Sequence, residues 1–228
     1  MKRTVLVLSF GILLAIIVIG VSAATTTSTY IPIVYKAISP TPTVTPTPTA
    51  TPIPGPILLP NGDFEQGHVS WHEYASLGLG FPIINYKTDL PVPPYDGSWA
   101  AWMGGAANGV DTLDQTVLVP ADHPYLSFWM YISSTDYCGY DVAYFFVDNT
   151  IIGQTWLCSA NNTYGWVKKV YDLHSLIGQH VDIMVYTGND LTHISSLYLD
   201  HFAWQSTSTA ENPVPVNISD INANAIKK

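Results

Sequence analysis

Residues 125–133 alternate between apolar and other side chains at every second position. One face of this segment would carry Leu126, Phe128, Met130 and Ile132, and the other Tyr125, Ser127, Trp129, Tyr131 and Ser133. Successive side chains of a strand point to opposite sides of a sheet, so this pattern predicts a β-strand with two distinct faces. Residues 181–186 alternate in the same way and predict a second strand, which buries Val181, Ile183 and Val185.

Six further short runs have the composition of strands: 98–103, 112–119, 140–147, 151–157, 166–171 and 196–204. Clusters of Gly, Pro, Asn and Asp separate these runs, and only residues 173–180 have a brief helical pattern. Many short strands separated by turn residues are typical of an all-β sandwich. Within that class the prediction is a jelly-roll β-sandwich.

The beginning of the chain has a different composition. Two basic residues precede an apolar run over 5–21, and Val21-Ser22-Ala23 has the small residues of a cleavage site. This pattern predicts a signal peptide over residues 1–24, with an uncleaved membrane anchor helix as the alternative. Residues 25–56 are rich in Thr and Pro and are predicted to form a disordered, extended linker.

Residues 57–205 are expected to form one globular domain, since roughly 150 residues suffice for a single core. Residues 206–228 are rich in Ser, Thr, Asn and Pro and are predicted to be a disordered tail. After residue 24 the chain has six Lys, no Arg and 17 acidic residues. It therefore lacks the basic surface that nucleic-acid binding requires. The composition indicates an extracellular protein, with membrane contact only through an uncleaved N-terminal segment.

The two cysteines, Cys138 and Cys158, flank the predicted strands 140–147 and 151–157. A turn at 148–150 would join these strands into a hairpin and place the cysteines nearly opposite each other. A disulfide is therefore predicted, and its cross-link is expected to stabilise the fold by about 3 kcal/mol. Such a bond fits an oxidising compartment.

Acidic residues occur in apolar surroundings near both ends of the predicted domain. Asp63 and Glu65 flank Phe64 after an Asn-Gly step, and Asp200 lies in the last predicted strand. Calcium takes about six to eight oxygen ligands and accepts backbone carbonyls among them. The acids therefore suit a calcium ion that links the first strand to the last. The alternative is that they are ordinary acids at strand edges facing water.

Several motifs, taken in order, are similar to those of a known family. Asn61-Gly62-Asp63-Phe64-Glu65 followed by Trp71 resembles the opening motif of galactose-binding-like jelly-roll domains, which include many carbohydrate-binding modules and are related to MAM domains. The later landmarks are Asp96-Gly97-Ser98-Trp99-Ala100, Leu126-Ser127-Phe128-Trp129-Met130, Trp166 leading to Asp172-Leu173 and Gly178, and Leu199-Asp200-His201-Phe202. The resemblance spans residues 58–205. MAM domains usually carry more than the two cysteines present here.

The resemblance implies a structural calcium (Ca²⁺) site that uses Glu65 and Asp200. Backbone oxygens near Asp63 and around residues 96–98 would complete it, with the Asp63 and Asp96 side chains as further candidates.

The polar face of the first predicted strand is the candidate ligand-binding surface. Its aromatic residues are Tyr125, Trp129 and Tyr131, and the candidate neighbours are Tyr144, Phe146 and Tyr186. Sugar rings have flat apolar faces that stack on rigid aromatic side chains, while nearby polar groups bind the hydroxyls. The alternative is that these aromatic rings form a second buried face.

The sequence contains no metalloprotease, nucleophile-elbow, phosphate-loop or dinucleotide-binding motif. The expected function is therefore that of a secreted or surface-tethered, non-catalytic carbohydrate-binding module that binds a polysaccharide or other glycan. The alternative is an extracellular adhesion or structural domain, MAM-like, that binds protein. A small extracellular hydrolase is the third hypothesis.

Overall fold

A computed structural model describes residues 55–77 and 82–221. The predicted signal peptide or anchor, the linker up to residue 54 and the last seven residues of the tail lie outside these ranges. Within the described residues, no helix is long and apolar enough to cross a membrane. This part of the chain consists of strands and three single-turn 3₁₀ helices, so the all-β prediction is confirmed.

The strands are β1 (Ile57–Leu58), β2 (His72–Ala75), β3 (Ile84–Tyr86), β4 (Trp99–Gly104), β5 (Val110–Leu118), β6 (Tyr125–Ser134), β7 (Val142–Val147), β8 (Thr150–Trp156), β9 (Gly165–Asp172), β10 (His180–Gly188), β11 (Ser195–Gln205) and β12 (Val214–Pro215). The 3₁₀ helices are Ser159–Asn161, His174–Leu176 and Ile218–Asp220. The helix predicted over 173–180 is wrong apart from one turn, because Gly178 adopts a φ of 78° and the chain then enters β10.

Two antiparallel sheets form the sandwich. The seven-stranded sheet has the order β12-β9-β6-β11-β4-β3, with β1 paired to β11. The five-stranded sheet has the order β2-β5-β10-β7-β8. The central strands β4-β11-β6-β9 and β5-β10-β7-β8 have the double Greek-key order of a jelly roll. The predicted jelly-roll sandwich is therefore confirmed.

The main core lies between the two sheets. In β10 the odd-numbered residues 181–187 are buried, and the even-numbered residues are partly exposed. In β6 almost every residue is buried on both faces. The β6 residues in the main core are those that alternation predicted: Leu126, Phe128, Met130 and Ile132. Trp129 and Tyr131 belong to a second apolar cluster, which we call the outer cluster: Leu90, Val92, Ala100, Trp102, Trp129, Tyr131, Trp166 and Tyr198.

The tail is not disordered throughout, contrary to the prediction. Strand β12 pairs with β9, where Val214 lies opposite Trp166. The Gln205 side chain donates hydrogen bonds to carbonyl oxygens of the tail, and Val216 packs against the outer cluster. A few apolar residues in a polar segment are therefore enough to add a strand to the sheet.

Cys138 and Cys158 form the predicted disulfide, with their Cα atoms 4.9 Å apart. Strands β7 and β8 form the predicted hairpin. Asp148, with a φ of 52°, begins its turn.

Replacing Cys138 by Ser is expected to lower the free energy of unfolding by about 3 kcal/mol, because the cross-link restricts the unfolded chain. Urea unfolding of the oxidised wild type and the variant would measure this difference. Reduced wild type serves as the control and should match the variant. Equal midpoints for oxidised wild type and variant would contradict the prediction.

Candidate functional site

Trp129 and Tyr131 lie on the outer face of the seven-stranded sheet, but other side chains cover them. Tyr95 stacks on Trp129 with ring centroids 4.1 Å apart and the rings 15° from parallel. Trp166 packs edge-on against Tyr131. Trp129 is 1% exposed and Tyr131 is 6% exposed. The prediction that these two rings form an exposed binding surface is therefore wrong, and they belong to a second core beneath the segment 90–95.

Tyr125 begins β6 and is half-buried. Its ring packs edge-on against His174, with centroids 4.9 Å apart. Because it lies four residues from Trp129 along the strand, about 13 Å at ~3.3 Å per residue, it does not form one surface with the covered rings.

Tyr144 and Tyr186 lie on the outer face of the five-stranded sheet, on the other side of the sandwich. They occupy opposite positions in β7 and β10, with ring centroids 6.1 Å apart. Both are partly exposed. The five predicted ligand-binding aromatics are thus divided between two faces. Of this set, the structure brings together Tyr144 and Tyr186 on an open surface.

The strand register extends this pair into a row across the sheet. Tyr74 lies opposite Thr112, Thr112 opposite Tyr186, and Tyr144 opposite Gln154. We call Tyr74, Thr112, Tyr186, Tyr144 and Gln154 the tyrosine row. It crosses five strands, about 19 Å at ~4.8 Å per strand spacing. Tyr74 is 52% exposed, so the row is open to solvent at its β2 end.

A second row runs beside the first and includes His72, Asp114, Met184 and Phe146. The Nδ1 atom of His72 is 3.1 Å from Oδ1 of Asp114. Asp182 lies further along β10, and burial raises the pKa of its carboxyl group, as do the charges of Asp114 and Asp148. The face therefore combines aromatic rings with carboxylates that can accept hydrogen bonds.

The five-stranded sheet carries no positive Lys or Arg side chain in any of its strands. Its outer face also bears the carboxylates of Asp114 and Asp182. The electrostatic potential over this face is therefore negative, which disfavours anionic ligands.

Glu65, the first predicted calcium ligand, is tied to the start of β4. Its Oε1 atom accepts hydrogen bonds from the N–H groups of Ser98 at 2.6 Å and Trp99 at 2.8 Å. The Asp63 and Asp96 side chains each accept an N–H from a residue close by in the chain.

Asp200, the second predicted ligand, is fully buried in β11. Its Oδ2 atom accepts hydrogen bonds from the N–H groups of Tyr95 and Asp96, and its Oδ1 atom accepts one from His201. Burial raises the pKa of Asp200 well above its usual value, the three N–H groups lower it, and the charge of Glu65 raises it further.

The structure thus brings Glu65 and Asp200 to the same segment, residues 95–99. All four predicted ligands already accept backbone N–H groups. In the described part of the chain, they do not place three carboxylates within 4.8 Å of one another, and none of their buried oxygens lacks a partner. The calcium site on Glu65 and Asp200 stays a prediction.

A groove of about 400 Å³ opens on the outer face of the seven-stranded sheet. Its walls include Trp102, Ser133, Ser196 and Tyr198. Trp102 donates its Nε1–H to Oγ of Ser196 at 3.0 Å and stacks on Tyr198. Both rings are buried in the outer cluster. The groove therefore offers hydroxyl groups but less open ring surface than the tyrosine row.

Sequence reasoning missed the β2 side of the tyrosine row. His72 and Tyr74 belong to a strand of four residues, and alternation over so short a run is a weak signal. The pairing of β2 with β5, which places Tyr74 beside Thr112, depends on a contact between distant segments.

No protein-family model matches the chain, and no curated protein matches its sequence. Three solved structures with similar folds are of different kinds. The module TmCBM61, solved in complex with β-1,4-galactotriose, is 14% identical, over 64% of this chain and 96% of that one, with a TM-score of 0.45. The K3 adhesin domain of Lys-gingipain from Porphyromonas gingivalis is 14% identical, over 62% and 95%, with a TM-score of 0.46.

A cyclase from Fischerella is 13% identical, over 68% of this chain and 98% of that one, with a TM-score of 0.39. A sugar-binding module, an adhesin domain and a cyclase are thus all among the similar structures. The shared fold therefore does not determine the function of this chain, which depends on its own residues.

Proposed function

We propose that the protein is a non-catalytic carbohydrate-binding module and that its binding surface is the tyrosine row. The observation that carries this proposal is the in-register alignment of Tyr74, Tyr186 and Tyr144 across an open sheet face. An aromatic ring provides a large, rigid apolar surface at low entropic cost. The apolar face of a sugar ring stacks on such a surface.

Polar groups in and beside the row supply the hydrogen bonds that a sugar requires. Thr112 lies between two tyrosines of the row, and Gln154 lies at its β8 end. The carboxylates of Asp114 and Asp182 are oriented toward the same side of the sheet. Pockets that bind small molecules combine apolar walls with a few such polar groups.

The charge of this face selects the class of glycan. Its carboxylates are not balanced by Lys or Arg from the strands of the same sheet. Sulfated or uronic-acid polysaccharides would be repelled, so the proposed ligand is a neutral polysaccharide.

Asp114 and Asp182 are two acids on one face, and a glycosidase also uses two acids. In a glycosidase the two carboxyl groups flank the scissile bond and are roughly 5–10 Å apart. Here one carboxylate pairs with His72, and both line an open face. The acids of a glycosidase flank the scissile bond of the bound sugar, whereas these two carboxylates lie on one face of a sheet. We therefore assign these two acids to hydrogen bonding with sugar hydroxyls.

Adhesion to protein is the second candidate function. Four apolar side chains are strongly exposed on loops: Tyr137, Tyr140, Tyr164 and Leu191. Contiguous exposed apolar patches of several hundred Å² mark protein-interaction sites, so the adhesive surface would be a patch that these loops form together.

Replacing Tyr144 by Ala is expected to weaken binding of a neutral polysaccharide at least tenfold, about 1.4 kcal/mol, because the row loses one of the aromatic rings on which the sugar stacks. The same change should lower the melting temperature by only about 2–4 °C, the effect of a loss of roughly 1 kcal/mol. Affinity electrophoresis of the full chain in gels with neutral or anionic polysaccharides would measure the retardation. Reducing-sugar release from the same polysaccharides would test for hydrolysis.

Tyr164→Ala is the matched control, because Tyr164 is an exposed tyrosine on a loop. It should bind like wild type. If folded wild-type protein binds no neutral polysaccharide, or if Tyr164→Ala loses as much affinity as Tyr144→Ala, the proposal for the tyrosine row fails. Release of reducing sugar would show catalysis and overturn the non-catalytic assignment.

A further inference from the structure

Three carboxylates meet at one end of the sandwich, apart from the acids that the sequence motifs indicated. Asp136 and Asp141 lie in the connection between β6 and β7, and Asp190 follows β10. One carboxylate oxygen from each lies within 4.8 Å of the other two. Asp136 is 1% exposed and Asp141 is 0% exposed. In the two described ranges, no other three acidic, His or Cys side chains meet in this way.

The hydrogen bonding of the two buried carboxylates is incomplete. Oδ1 of Asp136 accepts the Tyr137 N–H, and Oδ1 of Asp141 accepts the Asp190 N–H, both at 2.7 Å. The Oδ2 atoms of Asp136 and Asp141 are buried and have no hydrogen-bond partner. Buried polar atoms are nearly always paired. Two unpaired carboxylate oxygens in one cluster therefore indicate a bound cation that these oxygens would coordinate.

Further unpaired oxygens occur in the segment that carries Asp190. Oγ1 of Thr187 and Oδ1 of Asn189 are buried and lack a partner. The amide of Asn189 is held in place because its Nδ2 donates a hydrogen bond to the carbonyl of Ser195 at 2.8 Å. Two more buried oxygens without a partner therefore lie at this end of β10.

Protein cations do not balance the charge of the cluster. In the described residues, the one ion pair that includes an acid of this cluster is with His193. The Nδ1 atom of His193 is 3.4 Å from Oδ1 of Asp136. Burial raises the pKa of Asp141, the nearby Ser195 hydroxyl and the Asp190 N–H lower it, and the charges of Asp136 and Asp190 raise it. The Ser195 hydroxyl also donates to the carbonyl of Leu157 at 2.8 Å. Buried charges are stable when they are paired or coordinate a metal.

We propose that Asp136, Asp141 and Asp190 bind a calcium ion, which joins the β6–β7 connection to the end of β10. Oxygen-only ligand sets suit hard cations, and calcium accepts the irregular geometry of ligands from separate loops. Zinc would require nitrogen or sulfur ligands in most of its positions.

The ion would cross-link a segment that a disulfide already holds. Cys138 lies between Asp136 and Asp141 in the chain and is bonded to Cys158. The disulfide fixes the β6–β7 connection to the end of β8, and the calcium ion would fix the same connection to β10. The proposal is independent of glycan binding by the tyrosine row.

The test is a titration of the full chain, freed of metal by EDTA and dialysis, with calcium chloride. Isothermal titration calorimetry and thermal unfolding would compare wild type with Asp141→Asn. Asn keeps the size of the side chain and an oxygen that can accept the Asp190 N–H. We expect wild type to bind calcium with a rise in melting temperature, and Asp141→Asn to bind at least about tenfold more weakly.

Glu65→Gln is the control, because Glu65 belongs to the site predicted from the sequence motifs. It should keep the full calcium response. In EDTA, Asp141→Asn should melt at or above the wild-type temperature, because a buried charge is removed. A melting temperature lowered equally in EDTA and in calcium would show that the carboxylate has only a structural role and would overturn the proposal.

Two other results would also overturn the proposal. One is the absence of calcium binding by folded wild type. The other is a calcium response that Glu65→Gln loses and Asp141→Asn retains, which would assign the ion to Glu65 and Asp200. An equal response of wild type to magnesium chloride would overturn the assignment of calcium, because magnesium requires a nearly octahedral site.

Discussion

Replacing Trp129 by Ala should lower the free energy of unfolding by about 3–5 kcal/mol, the range typical of large aromatic side chains removed from a core. The Trp129 ring is covered by Tyr95 at 4.1 Å, and Nζ of Lys168 lies 5.9 Å from its centroid. Its neighbours Tyr95 and Lys168 come from separate segments, so filling the cavity would require more than one segment to move. Urea unfolding of wild type and variant would measure the change.

Tyr144→Ala provides the contrast, because Tyr144 is partly exposed on the other sheet. Its effect on unfolding should be well below that of Trp129→Ala, on the order of 1 kcal/mol, while its effect on glycan binding should be large. The opposite pattern would contradict both assignments. If Trp129→Ala kept wild-type stability and lost glycan binding, the seven-stranded sheet would be the binding face.

The strands with strict alternation could be predicted within about two residues of their ends. Alternation over 125–133 predicted a strand that the structure extends over Tyr125–Ser134. The pattern over 181–186 predicted the interior of β10, with the correct residues buried. These predictions succeed because a strand with one buried face must place its apolar residues at every second position. Local sequence therefore determines which face turns inward.

Local sequence does not determine whether the other face is open. Trp129 and Tyr186 both lie on faces opposite the main core. The outer face of β10 also carries the charged Asp182, which favours exposure, but no residue of β6 indicates which distant segment covers Trp129. The segment that contains Tyr95 covers Trp129, whereas Tyr186 remains partly exposed. The difference depends on where a distant loop packs, which the pattern within a strand does not encode.

The same reason explains why the acidic cluster was not predicted. Asp136 and Asp141 are close in sequence, but Asp190 approaches them because β10 lies beside β7 in the five-stranded sheet. Glu65 and Asp200 were singled out because each lies in a recognisable local motif. A ligand set assembled by topology alone has no such local signal.

The second large effect is expected at Asp200. Replacing it by Ala should lower the free energy of unfolding by about 3 kcal/mol or more, because three backbone N–H groups lose their acceptor in a buried site. These are the N–H groups of Tyr95, Asp96 and His201. Asp200→Asn should be less damaging, since its one oxygen can still accept from Tyr95 and Asp96. Urea unfolding of the three proteins would give this order, and equal stability of all three would contradict it.

Asp200 and Trp129 should not act independently, because both hold Tyr95. The carboxylate of Asp200 binds the Tyr95 N–H at 2.9 Å, and the Tyr95 ring covers Trp129. The substitution Asp200→Ala releases the backbone of Tyr95 and so weakens the stacking of its ring on Trp129. Replacing Trp129 in this background therefore removes less stacking energy than it does in the wild type. The double variant should therefore be less destabilised than the sum of the single variants, by about 0.5–3 kcal/mol, as is typical of residues in contact. Strict additivity would show that Tyr95 does not connect the buried acid to the outer cluster.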